Sequence, residues 1–333
     1  MSISKKLTRT ELESLYSAAN SAIWHSHQLA NAHARRAARE EDYVATLVTN
    51  GVPLLADRWI SVLEPKGIAL KISGVFCHGH PQVAFGIPQR QVELADLLII
   101  HQHSAKTRTT ARALLVQAKM STDATHRLPT GDQQLYLFST WPKFEFVTGG
   151  LARGLRDLKE IGKGSRYALV LAGQAYPESI TWADQCPWGA CHADQLLSAE
   201  RSFSKVLGDI LLGKDGRIVQ LNSRSDEWSR TIKELLEVTG TKTYRRTNIG
   251  RGETSRLSMS SSTNAGVMFL TESSNFTGND RTRALKTVGN RFFGNVPLAQ
   301  ADGNGNDPPT FEREDNRGGG ISMLVIETRE VEA

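Results

Sequence analysis

The sequence contains few cysteines and no long apolar segment. Its 333 residues include only three cysteines, which is an odd and sparse set. Such a set argues against a disulfide framework and favours reduced thiols, so we expect a cytoplasmic protein. The first twenty residues have no apolar core of signal-peptide length, and no segment approaches about 18 apolar residues. We therefore expect no association with a membrane.

The sequence also lacks a phosphate-binding loop of the ATPase type. The segment IGKGSR at 161–166 does not have the full spacing, and it precedes a strand pattern where that loop should follow one. Hydrophobic residues make up 39% of the chain and charged residues 23%, which is typical of a globular protein. The net charge of +5 is compatible with binding to a polyanion.

Helical and strand patterns alternate in the first half of the chain. The stretch 10–50 has no Gly or Pro and predicts one bent helix or two helices, whereas 67–88 is interrupted by Gly and Pro and predicts a hairpin. Three apolar runs predict buried strands at 92–103, 111–120 and 165–173. The short polar link between the first two strands favours an antiparallel pair. This order predicts an α/β fold, a mixed sheet flanked by helices.

The pattern changes after Tyr176. Two amphipathic helices are expected at 190–213 and 226–240, and two strands at 265–272 and 321–330. The segment 301–320 is rich in Gly, Asn, Asp and Pro, which is typical of a mobile loop. We therefore predict a first domain at 1–175 and an α+β C-terminal accessory region at 176–333.

Three polar side chains interrupt the apolar strand patterns. Asp96 lies within ELADLLII, and Gln117 and Lys119 lie within LLVQAKM, where strand alternation puts them on one face. A buried carboxylate needs a cationic partner. A divalent cation would fit Asp96, the Gln117 oxygen and the Ala118 carbonyl, with Lys119 orienting a metal-bound water. These groups predict metal-assisted phosphodiester hydrolysis. The alternative interpretation is that these residues form a buried ion pair with a purely structural role.

The order of these residues resembles the PD-(D/E)XK nuclease superfamily. An aspartate on one strand is followed about twenty residues later by Q-x-K on the next, which is similar to the variant in Mrr-type restriction enzymes and bacterial anti-phage effectors. The resemblance covers roughly residues 30–175 and implies a restriction-endonuclease-like fold and cleavage of DNA with Mg²⁺ or Mn²⁺. Gln117 departs from the usual Glu or Asp, which removes one negative charge from the metal site.

The resemblance also implies a glutamate on the first core helix and a glutamine on the helix after the lysine strand. Glu41 shares an apolar stripe with Val44, so we expect its carboxylate to face the sheet as a catalytic and metal-binding group. Glu40, about 100° around the helix, is the alternative. Gln133 or Gln134 is the expected glutamine, and we expect Gln133 to contact DNA.

Basic residues in two other segments are candidates for contact with the DNA backbone. One group precedes Glu41 and consists of Arg35, Arg36 and Arg39. The other surrounds Tyr244 and includes Lys242, Arg245, Arg246 and Arg251. An ordinary basic surface loop is an equal alternative for the second group.

The sequence thus predicts a metal-dependent endonuclease acting on DNA in restriction or anti-phage defence. We expect a homo-oligomer and control by a regulatory or defence-system partner protein. The alternative is a catalytically inactive nuclease fold that binds DNA or a partner. His101 and His103 are expected to be solvated at a strand end, and Cys186, Cys191 and His192 are too few ligands for a closed zinc site.

Overall fold

The computed structural model describes residues 2–33, 37–77, 81–159, 162–172, 185–220, 226–240, 245–246, 268–275 and 320–331. The α-helices are α1 (Arg9–His33), α2 (Glu40–Thr46), α3 (Val52–Leu63), α4 (Gln133–Thr140), α5 (Phe203–Leu211) and α6 (Glu227–Gly240). A π-helical turn, Leu47–Gly51, joins α2 to α3. The predicted helical stretch 10–50 is therefore two helices that continue into a third.

The described part of the chain also contains two short 3-10 helices, Ile3–Lys6 and Glu64–Lys66, and fifteen strands. The first eight are β1 (Ile68–Cys77), β2 (Gln82–Phe85), β3 (Arg90–Glu93), β4 (Leu97–Ser104), β5 (Thr109–Ser121), β6 (Thr125–Arg127), β7 (Glu145–Phe146) and β8 (Ser165–Leu171). The others are β9 (Trp188–Cys191), β10 (Leu196–Ser198), β11 (Arg201–Ser202), β12 (Arg217–Val219), β13 (Arg245–Arg246), β14 (Met268–Ser274) and β15 (Ser322–Glu330).

A ten-stranded mixed sheet organises the molecule. Its order is β11-β9-β8-β5-β4-β15-β1-β14-β13, and β12 also pairs with β5. The predicted antiparallel pairing of β4 with β5 is confirmed, and β15 runs parallel to β4. Two small sheets, β3-β2-β7 and β10-β6, lie outside this order. The coarse prediction of a mixed sheet flanked by helices is confirmed.

Apolar clusters cover both faces of the central sheet. On one face, Leu114 and Val116 of β5 pack in the same cluster as side chains of α1, α3 and α5. On the other face, Leu115 packs in a cluster with side chains of α4 and α6. Because β5 is buried on both faces, its sequence is a continuous apolar run, as expected for a central strand. Gln117 and Lys119 share the alternation of Leu115, so they belong to the α4 face.

Strands from the C-terminal half are part of this same sheet. We expected residues 176–333 to form an accessory region, but β15 lies between β4 and β1, and β14 pairs with β1. The helix expected at 190–213 is present only as α5, because its first half forms β9, β10 and β11. Most of the loop expected at 301–320 lies outside the described residues.

Two expectations for the strands before β5 differ from the structure. Residues 67–88 do not form a hairpin, because β1 joins the central sheet while β2 pairs with β3 and β7. The single strand expected at 92–103 is divided, since β3 ends at Glu93 and β4 begins at Leu97. Leu94 donates its N–H to the Pro81 carbonyl, which holds the link between the two sheets. Asp96 therefore lies immediately before β4 and not inside a strand.

His101 and His103 are buried, contrary to the expectation that they are solvated. The His101 ring is hydrogen-bonded to the Ile210 carbonyl (3.0 Å) and to Thr328 Oγ1 (2.8 Å), and His103 Nδ1 lies 2.9 Å from the same hydroxyl. Burial, followed by the charges of His103 and Arg112, lowers the pKa of His101 from 6.5 to about 3. The insertion of β15 beside β4 buries this end of the strand.

This buried histidine predicts a loss of stability in mild acid. Below pH 6.5 the unfolded chain binds a proton at His101 that the folded protein does not bind, so stability falls as the pH drops. Between pH 7.5 and 5.5, protonation of His101 in the unfolded chain should lower the free energy of unfolding by about 1.4 kcal/mol. Urea unfolding at both pH values should show that His101→Asn loses less stability than the wild type. His25→Asn, at an exposed position, should match the wild type; an equal loss in His101→Asn contradicts the assignment.

Candidate functional site on the edge of β5

The central strand β5 is longer than its neighbour β4. The register pairs Leu97 of β4 with Val116, so residues 117–121 extend past the start of β4. The Asp96 N–H donates to the Val116 carbonyl (3.0 Å), which is the last contact of this ladder. No strand in the described part of the chain pairs with this edge of β5 beyond Val116. Backbone groups here are therefore available to side chains.

Asp96 occupies the beginning of the open edge. Its Oδ2 atom accepts hydrogen bonds from the Ala118 N–H (2.6 Å) and from Gln117 Nε2 (2.5 Å). The Asp96 side chain is buried. Hydrogen bonds to a carboxylate favour its charged form, so two donors stabilise the negative charge at this position. The predicted proximity of Asp96 to Gln117 and Ala118 is present in the structure.

Glu40 occupies the next position along the same edge. Its Oε1 atom accepts a hydrogen bond from the Met120 N–H (3.2 Å). In a strand, the N–H and C=O of every second residue point to the same edge, so the Ala118 carbonyl faces this edge too. The two N–H groups, of Ala118 and Met120, are about 7 Å apart, since each residue adds about 3.3 Å. The Ala118 carbonyl thus lies along the edge between the two carboxylates.

Glu41 does not have the position expected from the sequence. Its Oε2 atom pairs with Arg39 Nη2 at 3.2 Å, and the side chain is 38% exposed. An apolar stripe that includes Glu41 and Val44 faces the sheet only if the helix is uninterrupted. Helix α2 instead begins at Glu40 and changes to a π-helical turn at Leu47. The first residue of the helix, Glu40, is the one directed at β5. Glu40 therefore replaces Glu41 as the candidate glutamate of this site.

Gln117 presents an unsatisfied oxygen. Its amide nitrogen is bound to Asp96, but its Oε1 atom is buried and has no hydrogen-bond partner in the described structure. A buried polar atom without a partner costs about 1–3 kcal/mol and calls for an explanation. Lys119 lies two residues further on the same face and is partly exposed. Among the described residues, Lys119 forms no ion pair, which leaves its ammonium group available to a ligand.

Tyr167 lies beside Gln117 and was not predicted. The two residues are register partners in the parallel pair of β5 and β8. The Tyr167 hydroxyl is buried and has no hydrogen-bond partner among the described residues. Burial raises the pKa of this hydroxyl, and the charges of Asp132, Cys191 and Asp96 raise it further. The hydroxyl therefore remains a proton donor next to the site. Only the register with β8, a non-local feature, identifies it.

Helix α4 supports the segment that carries Asp96. Asp132 caps the helix by accepting a hydrogen bond from the Leu135 N–H at 2.7 Å. Gln134 is buried, and its Nε2 donates to the Leu94 carbonyl (3.4 Å), two residues before Asp96. Gln133 instead donates to the Gly131 carbonyl at the surface (2.9 Å). Gln134 thus contacts the Asp96 segment, whereas Gln133, the expected DNA contact, does not bind it.

The oxygen atoms at this edge fit a hard divalent cation. Carboxylates, a backbone carbonyl and an amide oxygen are the ligands that Mg²⁺ and Mn²⁺ prefer. Asp96, Glu40, the Ala118 carbonyl and Gln117 Oε1 would supply them. The described residues contain no cluster of three or more His, Cys, Asp or Glu side chains arranged to bind a metal. The cysteines Cys77, Cys186 and Cys191 are all buried and form no disulfide.

Those basic residues expected to bind DNA whose backbone the structure describes do not gather at this site. Arg39 is paired with Glu41 on the surface. Arg245 and Arg246 form β13 at the end of the sheet, and four strands separate β13 from β5. Arg35, Arg36, Lys242 and Arg251 lie outside the described residues.

Comparisons with known proteins give no match. No family model, curated protein or solved structure is similar to the chain at a significant level. In the part of the chain that the structure describes, none of the helices has the length and apolar character needed to cross a lipid bilayer.

Proposed function

We propose that the protein is a metal-dependent endonuclease that hydrolyses phosphodiester bonds of DNA. The observation that supports this function best is the arrangement of two carboxylates on one strand edge. Asp96 and Glu40 come from different parts of the chain, and they bind alternate N–H groups of β5 on either side of Lys119. Lys119 forms an ion pair with neither carboxylate, so its ammonium group is available to a ligand bound at this edge.

The residues of the edge have separate roles in this proposal. Asp96, Glu40, the Ala118 carbonyl and Gln117 Oε1 would hold the cation, which would supply an activated water and neutralise charge on the phosphate. Lys119 carries a positive charge on the open face, where it orients the attacking water and stabilises negative charge that develops on the phosphate oxygens.

The proposed biological role is restriction or anti-phage defence in the bacterial cytoplasm, because Gln117 and Lys119 form the Q-x-K pattern. DNA, a regulatory partner protein and a second copy of the chain are the proposed partners. The positive net charge of +5 supports DNA as the substrate.

One observation favours a second function, a nuclease fold that binds DNA without cleaving it. Gln117 directs its amide nitrogen, and not its oxygen, towards Asp96. Metal binding through Gln117 Oε1 requires the amide to turn, which removes one of the two hydrogen bonds to Asp96. A protein that has lost its metal would keep the arrangement seen here.

Thermal unfolding with and without Mg²⁺ separates the two functions. A ligand at ten times its Kd stabilises the folded state by about 1.4 kcal/mol. For the wild type this corresponds to a rise in Tm of roughly 2–4 °C. Asp96→Asn, which keeps the shape and removes the charge, should lose the shift. Asp57→Asn, which removes an exposed carboxylate on α3, should keep it. A wild type without any shift in Mg²⁺ or Mn²⁺ supports the binding protein.

A further inference from the structure

A cavity of about 450 Å³ adjoins the candidate site. Its polar wall consists of Ser121, Thr122, Thr125, His126 and Arg127, and its apolar wall includes Leu196. These residues come from the end of β5, from β6 and from β10. None of them was a candidate in the sequence, because β6 has only three residues and no distinct pattern.

The cavity continues the open edge of β5. Met120 lines it, and the Met120 N–H is the group that binds the Glu40 carboxylate (3.2 Å). The carbonyl of the same residue lies 2.9 Å from His126 Nδ1. Because a carbonyl only accepts, Nδ1 carries the proton in this contact. Asp96, Glu40 and His126 thus follow one another along a single strand edge, and the cavity begins where the two carboxylates end.

Hydrogen bonds hold the turn at the mouth of the cavity. Ser121 Oγ donates to the Thr125 carbonyl (2.6 Å), and both the N–H and the hydroxyl of Thr125 donate to Asp123 Oδ1 (3.0 and 2.8 Å). These bonds from Thr125 lower the pKa of the Asp123 carboxyl, whose charge is therefore satisfied within the turn. The wall is formed before any ligand binds, which reduces the entropic cost of binding.

Arg127 gives the cavity a positive charge. It is exposed and forms no ion pair with any residue that the structure describes. Guanidinium groups bind phosphate through two parallel hydrogen bonds, and threonine hydroxyls are common phosphate donors. A wall with arginine and threonine next to an apolar surface fits a phosphate attached to a sugar.

We propose that this cavity binds the sugar-phosphate of the nucleotide adjacent to the scissile phosphate of duplex DNA. This inference rests on the proposed endonuclease function and names the residues that position its substrate. Arg127 neutralises the neighbouring phosphate, Thr122 donates its hydroxyl to it, and Leu196 packs against the sugar. His126, bound to the Met120 carbonyl, holds β6 beside the end of β5. The scissile phosphate then lies at the edge between Asp96 and Glu40.

DNA binding without cleavage tests the inference. Fluorescence anisotropy of a short labelled duplex in EDTA, over a range of salt concentrations, gives affinity and its salt dependence. One phosphate contact contributes about 0.9 to the slope of log K against log salt. Arg127→Ala should therefore weaken binding about eightfold at 0.1 M salt and lower the slope by about 0.9. Arg127→Lys should keep the slope. Arg108→Ala, an exposed arginine in the turn at the opposite end of β5, should match the wild type.

The outcomes separate this inference from the proposed function. Unchanged affinity and slope in Arg127→Ala overturn the inference, and metal-dependent plasmid cleavage by the same variant would leave the endonuclease function standing. If Arg127→Ala lowers the slope but the wild type binds DNA and never cleaves it, the cavity is supported and the endonuclease function is overturned. A wild type that neither binds nor cleaves DNA overturns both.

Discussion

Glu40→Gln is expected to lower the rate of Mg²⁺-dependent DNA cleavage on the order of a hundredfold to a thousandfold, the usual effect of removing one group that stabilises developing charge. Glutamine keeps the acceptor for the Met120 N–H, so the contact between α2 and β5 persists. The substitution removes only the negative charge that helps to hold the cation. The loss should appear in single-turnover cleavage of plasmid DNA.

Glu41→Gln is the matched control for this experiment. It removes the same charge from the adjacent residue, whose carboxylate pairs with Arg39 at the surface. Because an exposed pair of this kind contributes little, activity and stability should both remain close to those of the wild type. A large loss of cleavage in Glu41→Gln with normal activity in Glu40→Gln would show that Glu41 is the glutamate of the site. That result would contradict the position of α2.

Gly74→Ala is expected to destabilise the protein by about 3 kcal/mol or more, at the upper end of overpacking effects. A β-carbon at this position of β1 would lie 1.8 Å from the Val48 carbonyl oxygen and 2.8 Å from Val52 Cγ2. The obstacle is backbone of the π-helical turn, so no rotation of a side chain relieves it. The turn must move away from the sheet. Urea unfolding of Gly74→Ala and the wild type measures this cost.

Gly131→Ala separates the steric effect from the effect of the backbone angle. Gly131 has a φ of +79°, and an added β-carbon there meets nothing within 4 Å. Its replacement should cost about 1 kcal/mol, because only the left-handed conformation is penalised. If Gly74→Ala is no less stable than Gly131→Ala, the close approach of the helical turn to β1 is contradicted. Since α2 leads directly into this turn, Gly74→Ala should also weaken the contact of Glu40 with the Met120 N–H.

Local patterns predicted the elements whose structure depends on their own residues. Helix α6 and the antiparallel pair of β4 and β5 both agree with the predictions from the sequence. The contact of Asp96 with Gln117 also follows from that pair, because a short link fixes the register of the two strands. These features need only periodicity and turn chemistry.

Non-local packing decided the features that the sequence did not predict. The placement of β15 between β4 and β1 joins segments more than 200 residues apart, and no periodicity encodes it. The same placement buries His101, which a strand-end pattern does not indicate. Glu40 is selected over Glu41 by the start of α2 and by the π-helical turn after it, both of which depend on packing against β1 and β5.

The most direct measurement of the central claim is plasmid cleavage by the wild type, Lys119→Ala and Asp96→Asn in Mg²⁺, Mn²⁺ or EDTA. The account predicts metal-dependent nicking by the wild type that EDTA and both substitutions abolish, with circular dichroism spectra unchanged. Cleavage that persists in the two variants would show that the chemistry lies elsewhere. A folded wild type that binds Mg²⁺ and DNA without cleaving would contradict the catalytic role of the β5 edge.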